Sequence, residues 1–270
     1  MSALLARASE YLATIQVGDA VRDVKLDRAD DEVVLTIAFD HWKLPADLDY
    51  LDPTLARAYH FGEEERDDID FMVALATDLD ARTIVDFGCG TGQLAVALAK
   101  GSRRIIAIDP AKAMLDLARE RDGADAVEWI WGDASALTTA DVDLAVMLGN
   151  IPSAHNTDEA WDNSIRALHT CLRPGGRLAF GSWNPTALPW ERRGTWDGMV
   201  VEPVGEGVRV GAAGAGRGTD LADGRERLWS PSVWRYRTEH EFTASLTRAG
   251  FVVERVQGDW AGAPLTGESG

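Results

Sequence analysis

The chain has few cysteines and few histidines, which restricts the disulfide and metal chemistry open to it. Its two cysteines, Cys89 and Cys171, form no CxxC pair. Its five histidines form no HExxH or paired-ligand pattern. We therefore expect no disulfide and no structural metal.

Long apolar runs and basic segments are also missing. No apolar run approaches the roughly 18 residues that a membrane-spanning helix requires. The first residues carry no basic stretch before a short apolar one and reach Glu10 early, so they do not resemble a secretory signal. The sequence therefore predicts a soluble, cytoplasmic protein without a membrane partner.

Positive charge is the third scarcity. The 270 residues include 44 acidic and 27 basic side chains, which gives a formal net charge of −17 at pH 7. A protein this acidic repels phosphate backbones, so we expect no nucleic-acid partner.

The sequence does contain a regular alternation of apolar strands and helical segments. This pattern predicts an α/β fold, a doubly wound, mostly parallel sheet with helices on both faces. The spacing of Ile69, Met72, Val73 and Ala76 predicts a helix before the first core strand. The predicted strands are Thr83–Phe87, Arg104–Ile108, Val127–Trp131, Val142–Leu148 and Arg177–Ser182, and the predicted helices span 92–100, 111–121 and 157–172.

Four regions follow from this pattern. Residues 1–50 are predicted to form an N-terminal extension, and residues 51–185 to form the α/β core. Residues 186–237, which are rich in glycine, predict a β-rich insertion after strand five that could form a lid. Residues 238–270 predict the C-terminal part of the core. Within these regions we expect a helix at Ala3–Ile15, strands at Val21–Leu26, Glu32–Ala38 and Phe251–Val256, and a capping box formed by Asn156 and Glu159.

A glycine-rich turn after the first core strand is the strongest single motif. Residues 85–92 read Val-Asp-Phe-Gly-Cys-Gly-Thr-Gly, and glycines let a backbone come close to a ligand. A dinucleotide-binding fingerprint would need glycine at residue 93, which is Gln93. No GK[ST] follows, so the loop is not a P-loop either.

The sequence resembles the class I S-adenosylmethionine-dependent methyltransferases. The resemblance spans about residues 59–185 and rests on four motifs in the same order as in the family. They are Asp86 with Gly88, Gly90 and Gly92; Ile108-Asp109-Pro110 followed by Met114-Leu115; Trp131-Gly132-Asp133-Ala134; and Leu172-Arg173-Pro174-Gly175-Gly176.

The resemblance implies a set of residues that contact S-adenosylmethionine. Asp109 would accept from the ribose hydroxyls, Asp133 from the adenine amino group, and Asp86 would organise the loop and the methionyl amine. Three alternatives stay open: a solvated carboxylate at Asp109, an Asx turn at Asp133 and a plain core role for Met114. The implied set is Tyr59, Asp86, Gly88, Cys89, Gly90, Asp109, Pro110, Met114, Asp133, Ala134, Gly149 and Asn150.

The implied reaction is an in-line methyl transfer to an O, N or C atom of a small-molecule acceptor, by a monomer or homodimer. His155 is the first candidate for a general base and His60 the second, although His155 could instead cap the following helix. A peptide acceptor stays open as well. Five tryptophans could line the acceptor pocket or form a small core of the insertion, namely Trp183, Trp190, Trp196, Trp229 and Trp234.

Two functions other than methyl transfer are open to the sequence. A non-catalytic sensor could keep the same pocket, whereas Gln93 disfavours an NAD-dependent oxidoreductase.

The family's last edge strand is missing from the tail Ala261–Gly270. The sheet could end short, the chain could be truncated, or Glu32–Ala38 could supply the edge.

Overall fold

The computed structural model describes residues 12–14, 21–29, 32–39, 46, 48–61, 66–187, 199–212 and 233–269. Most of the helix predicted at Ala3–Ile15 lies outside these ranges, although residues 12–14 are helical. The predicted pocket residues Trp190, Trp196 and Trp229 also lie outside them.

Ten strands and eight α-helices are labelled here in chain order. The strands are β1 (Val21–Ala29), β2 (Glu32–Phe39), β3 (Thr83–Phe87), β4 (Arg104–Asp109), β5 (Val127–Trp131), β6 (Val142–Met147), β7 (Leu172–Phe180), β8 (Met199–Val204), β9 (Gly207–Ala212) and β10 (Val233–Tyr236). The helices are α1 (Leu48–Leu51), α2 (Pro53–Phe61), α3 (Asp67–Asp78), α4 (Gln93–Ala99), α5 (Lys112–Ala118), α6 (Ile151–Ala154), α7 (Asp158–Cys171) and α8 (Glu239–Arg248).

The central sheet is parallel, with strand order β5-β4-β3-β6-β7. This confirms the predicted doubly wound α/β fold. Successive strand residues face opposite layers, as Ile84 and Val85 do, and both are fully buried. Helices α3 and α4 cover one face, and helices α7 and α8 cover the other. The strand order reverses between β3 and β6, so their carboxyl ends border the crevice where such folds bind ligands.

The beginnings of two helices show how local sequence fixes their position. Helix α7 starts one residue later than the proposed capping box, because the side chain of Thr157, not that of Asn156, accepts from the backbone N–H of Ala160. Helix α8 begins with a complete capping box between Thr238 and Glu241.

The strand predicted at Phe251–Val256 does not form. Glu254 of this segment forms a 2.9 Å ion pair with Arg177 of β7. The backbone of the segment, however, is not paired with any described strand. A cavity lined by both segments lies between them. The prediction was wrong because a strand needs a hydrogen-bonding partner, which local sequence cannot supply.

Two antiparallel sheets lie outside the central one. Strands β1 and β2 form a hairpin, and strands β8, β9 and β10 form a three-stranded sheet in the order β10-β9-β8. The strand Glu32–Phe39 pairs with β1 and not with the central sheet, so it does not supply the missing edge. The domain bounds at residues 50, 185 and 237 stay predictions.

Within the described ranges, no helix has both the length and the apolar character needed to cross a membrane. The same ranges hold no group of three or more side chains suited to binding a metal ion.

Candidate active site

The glycine loop that links β3 to α4 is held at the carboxyl end of the sheet. The backbone N–H groups of Gly88 and Cys89 both donate to the carbonyl of Ile108 on β4, at 2.8 and 3.1 Å. Gly88 has a φ of +75°, and a Cβ there would lie 2.4 Å from Cδ1 of Ile151. The loop therefore needs glycine both for its conformation and for its contact with α6.

Asp109, at the end of β4, is fixed by two backbone donors. Its Oδ2 accepts from the N–H of Gly90 and its Oδ1 from the N–H of Ala111, both at 2.8 Å. Burial raises the pKa of the carboxyl to about 6, and these two hydrogen bonds oppose the rise. Each oxygen of a carboxylate has a second acceptor position, so the group can still receive two ligand hydroxyls. The alternative of a solvated carboxylate is wrong, because Asp109 is only 5% exposed.

Asp86, at the carboxyl side of β3, is buried and incompletely paired. Its Oδ2 has no hydrogen-bond partner among the described residues. Burial, with the nearby charge of Asp109, raises the pKa of Asp86 to about 7, whereas Arg66 acts to lower it. An unpaired buried carboxylate oxygen is costly and calls for a donor from elsewhere. A cationic ligand group would supply both a hydrogen-bond donor for Oδ2 of Asp86 and a positive charge to balance the carboxylate.

Arg66 was missed by the sequence analysis. It lies just before α3, where it forms a two-pronged ion pair with Asp68, and its Nη2 is 3.7 Å from a Cβ position built on Gly149. An arginine far in sequence from the strand ends carries no motif that could have identified it. Its guanidinium adds positive charge to a site otherwise dominated by Asp86 and Asp109.

The end of β5 contributes a polar turn and an exposed indole. The Oδ1 of Asp133 accepts from the backbone N–H and the hydroxyl of Ser135, so the Asx turn considered for this residue is present. Trp131 is 54% exposed and its Nε1 donates to the carbonyl of Pro110 at 3.0 Å. Trp131 begins one of the motifs of the resemblance, which implies no role for its side chain. Ala134 follows Asp133 in this turn and is half-buried.

Met114 and Cys89 both lie inside. Met114 packs in a cluster with Leu51 and Ala56, and its Cε lies 3.8 Å from a Cβ position built on Gly90. It therefore has the core role and also contacts the glycine loop. Burial raises the pKa of the Cys89 thiol well above its usual range, which suits a small buried side chain and not a nucleophile.

His155 faces the core, which argues against its predicted role as general base. Its Nδ1–H donates to the carbonyl of Ile151 and its Nε2 accepts from the hydroxyl of Ser164, both at 2.8 Å. The ring stacks near Phe87 and meets Trp161 edge-on. Burial lowers the pKa of His155 to about 4, so the ring is neutral and both nitrogens are occupied. The second candidate, His60, contacts Arg121 instead.

The switch point of the sheet opens into a large cavity. Gly149 and Asn150, with φ of +64° and +70°, connect β6 to α6 at this point. From them a cavity of about 1600 Å³ extends along β7 to the segment that begins at Gly250. Tyr59, from the set implied by the resemblance, reaches this cavity, and its ring meets Tyr50 edge-on at 5.5 Å. The aromatic side chains on the cavity wall are Tyr50, Tyr59, Phe71, Phe180, Trp183, Trp234, Phe242, Phe251 and Trp260.

The structure therefore assembles most of the predicted cofactor residues at one edge of the sheet. The glycine loop and Asp109 are joined by a hydrogen bond, and Asp86 lies near enough to Asp109 for that charge to raise its pKa. Gly149 and Asn150 border the cavity instead. Whether each of these residues contacts a cofactor stays a prediction.

Comparison with known proteins gives the same class. The family model of the methyltransferase domain matches residues 84–176. The cypemycin N-terminal methyltransferase of a Streptomyces species is 29% identical over 202 residues, which cover 71% of this chain and 81% of that protein. The C-methyltransferase UbiE of Rubrivivax gelatinosus, named for ubiquinone and menaquinone biosynthesis, is 35% identical over 109 residues, 40% of this chain and 41% of that protein.

Solved structures share the fold. The methyltransferase CcbJ of Streptomyces caelestis superposes with a TM-score of 0.61 at 20% identity, covering 80% of this chain and 92% of that one. CalS10 of Micromonospora echinaspora, an amino pentose methyltransferase solved with S-adenosylmethionine bound, has a TM-score of 0.54 at 23% identity and covers 77% and 93% of the two chains.

The fold and the site define a Rossmann-like methyltransferase. The match to the methyltransferase domain over residues 84–176 and the similar methyltransferases support a class I S-adenosylmethionine-dependent enzyme, with S-adenosylmethionine as the cofactor. The residues present fit this cofactor, because the unpaired oxygen of Asp86 suits its methionyl ammonium. Gly90 also leaves room beside the loop, since the nearest atom to a Cβ there is Cε of Met114 at 3.8 Å.

Proposed function

We propose that the protein transfers the methyl group of S-adenosylmethionine to a small organic acceptor bound in the aromatic cavity next to Gly149 and Asn150. The observation that carries the proposal is the position of this cavity. It opens at the switch point of the sheet, and its wall carries many aromatic side chains. Aromatic walls suit a planar or apolar acceptor.

The cofactor would be held by the glycine loop and the two carboxylates at the carboxyl ends of β3 and β4. Asp109 is proposed to accept from the ribose hydroxyls, because its two backbone hydrogen bonds fix its orientation. Asp86 is proposed to pair with the methionyl ammonium, and Arg66 to balance the methionyl carboxylate. The exposed face of Trp131 is proposed to border the adenine beside Asp133.

When bound, S-adenosylmethionine supplies a methyl group on a positively charged sulfur. The contribution proposed for this chain is to hold the acceptor in line with that group and to exclude water. Positioning of this kind can supply roughly 7–11 kcal/mol of the barrier. Because both ring nitrogens of His155 already form hydrogen bonds, His155 is not proposed as a general base.

An amine is the acceptor group that we favour. A neutral amine attacks without losing a proton first, whereas a hydroxyl gains from a general base. The cypemycin N-terminal methyltransferase supports this choice, since its name places the transfer at an N-terminus. The net charge of −17 also favours a cationic or neutral acceptor over a nucleic acid.

The test is transfer of an isotope-labelled methyl group from S-adenosylmethionine to panels of amines, amino sugars, peptide N-termini and phenols. The Asp109→Asn variant is run on the same panels, to show whether methyl transfer depends on the proposed cofactor site. We expect labelled product with an amine class in the wild type and loss of product in the variant. Tight cofactor binding with no product from any class would favour a non-catalytic sensor. Product from phenols alone would overturn the choice of an amine.

A further inference from the structure

A buried arginine joins the inserted sheet to the segment after β6. Arg237 directly follows β10, and its side chain is 2% exposed. Its guanidinium donates to three backbone carbonyls: from Nη1 to Pro152 at 3.2 Å, and from Nη2 to His155 and Thr157 at 3.0 Å each. Asp158 lies 3.0 Å from the same Nη2 and balances the charge.

These carbonyls belong to α6 and to the turn that follows it. Helix α6 has only four residues and begins directly after Gly149 and Asn150. A helix this short cannot satisfy its own terminal carbonyls, so an external donor has to do so. Arg237 is that donor, and it also stacks 5.5 Å from the ring of Trp161.

The other side of α6 lies against the glycine loop. The side chain of Ile151 occupies the space where a Cβ of Gly88 would be, at 2.4 Å from its Cδ1. Any displacement of α6 therefore moves the wall behind Gly88. One continuous set of contacts thus runs from β10 through Arg237 and α6 to the cofactor loop.

We propose that Arg237 is a positioning residue that couples the inserted sheet, on the acceptor side, to the cofactor loop. It acts through the backbone of α6 and touches no reacting atom. The inference rests on the cofactor site proposed above. Its consequence is that acceptor binding beside the inserted sheet and cofactor binding at the loop influence each other, since coupling between two sites is reciprocal.

Arg235, two residues earlier on β10, provides a matched control. It is equally buried, at 1% exposure, but it bonds to Glu241 and to the carbonyl of Tyr236, so its contacts stay within the inserted sheet and α8. Replacing either arginine by glutamine removes one buried guanidinium from the segment 235–237. Only the change at Arg237 removes donors from α6.

The experiment is calorimetric titration with S-adenosylhomocysteine of the wild type, Arg237→Gln, Arg237→Lys and Arg235→Gln, with hydrogen exchange on each protein. We expect Arg237→Gln to weaken binding by about tenfold, within the usual range of coupling between sites. Exchange should rise in residues 150–157. Arg237→Lys, with fewer donors, should restore part of the affinity, and Arg235→Gln should leave it unchanged.

Two outcomes would overturn the coupling. The first is unchanged affinity in Arg237→Gln, and the second is an equal loss in Arg237→Gln and Arg235→Gln, which would indicate a general loss of stability. If Arg237→Gln does not fold, the comparison of Arg237→Lys with Arg235→Lys decides in the same way. Failure of the wild type to bind would instead contradict the proposed cofactor site.

Discussion

Replacing Asp109 by asparagine is expected to weaken cofactor binding strongly while leaving a folded protein. The carboxylate uses one oxygen for the N–H of Gly90 and the other for the N–H of Ala111. An asparagine has one acceptor oxygen, so its amide nitrogen must face one of these two donors. The variant therefore loses one fixed hydrogen bond, the negative charge and the orientation of the group.

The magnitude follows from these contacts. A hydrogen bond to a charged group contributes about 1.5–3 kcal/mol, and each 1.4 kcal/mol is tenfold in affinity. Losing one such bond to the ribose should therefore raise the Kd for S-adenosylhomocysteine by roughly 10- to 150-fold. The unpaired backbone N–H should cost a further 1–3 kcal/mol, roughly, in the free energy of unfolding.

The assay is calorimetric titration of both proteins well above the pKa of about 6 at Asp109, where its carboxylate is ionised. Asp116→Asn is the control, because Asp116 lies on the exposed side of α5 and pairs with Lys112 and Arg119. Unchanged affinity in a folded Asp109→Asn variant would refute the assignment of Asp109 to the ribose.

Three further predictions concern buried groups and the glycine loop. The folded pKa of Asp86, about 7, is above its ordinary value of 3.8, so the folded state keeps a proton that the unfolded state loses. Its contribution should therefore lower stability as pH rises from about 4 to about 7, and urea unfolding should show this slope reduced in Asp86→Asn; equal slopes would contradict it. The folded pKa of His155, about 4, is below 6.5, so its contribution to stability should be lost as pH falls between these values. NMR should find the imidazole neutral until the pH approaches about 4, and a ring protonated near pH 6 would contradict the buried geometry. Gly92→Ala should lower both stability and cofactor affinity, because φ is +79° and a Cβ would lie 2.4 Å from the ring of Trp129. Gly123→Ala, also at positive φ but 3.4 Å from its nearest neighbour, should lower stability alone; equal loss of affinity in both variants would refute a specific role of the loop.

Strands β3, β4 and β6 could be predicted from sequence because each is buried on both faces and therefore appears as a short continuous apolar run. These three strands and β5, which is only partly buried, match their predicted bounds to within one residue. The predicted start of the fifth strand was later than observed. Strand β7 begins at Leu172 and includes Pro174-Gly175-Gly176, residues typical of turns, at a break in register with β6.

Contacts between distant segments could not be predicted in the same way. The alternation in Phe251–Val256 indicates a strand, but the pairing depends on a neighbour that the sequence does not specify. The position of His155 after β6 suggested the site, whereas its orientation depends on Ser164, Phe87 and Trp161.

Some residues of the candidate site could be predicted from the sequence, and others could not. Asp86 and Asp109 could be placed because strand ends in a parallel sheet converge on one edge. Arg66 and Arg237 could not, because their roles depend on atoms far away in sequence, such as the carbonyls of α6.

The most direct test of the account is parallel calorimetric titration of the wild type with S-adenosylmethionine, S-adenosylhomocysteine and NADH. The account predicts binding of the first two ligands at a stoichiometry of one site, with no binding of NADH. Binding of NADH alone, or equal binding of all three ligands in the wild type and in Asp109→Asn, would contradict it.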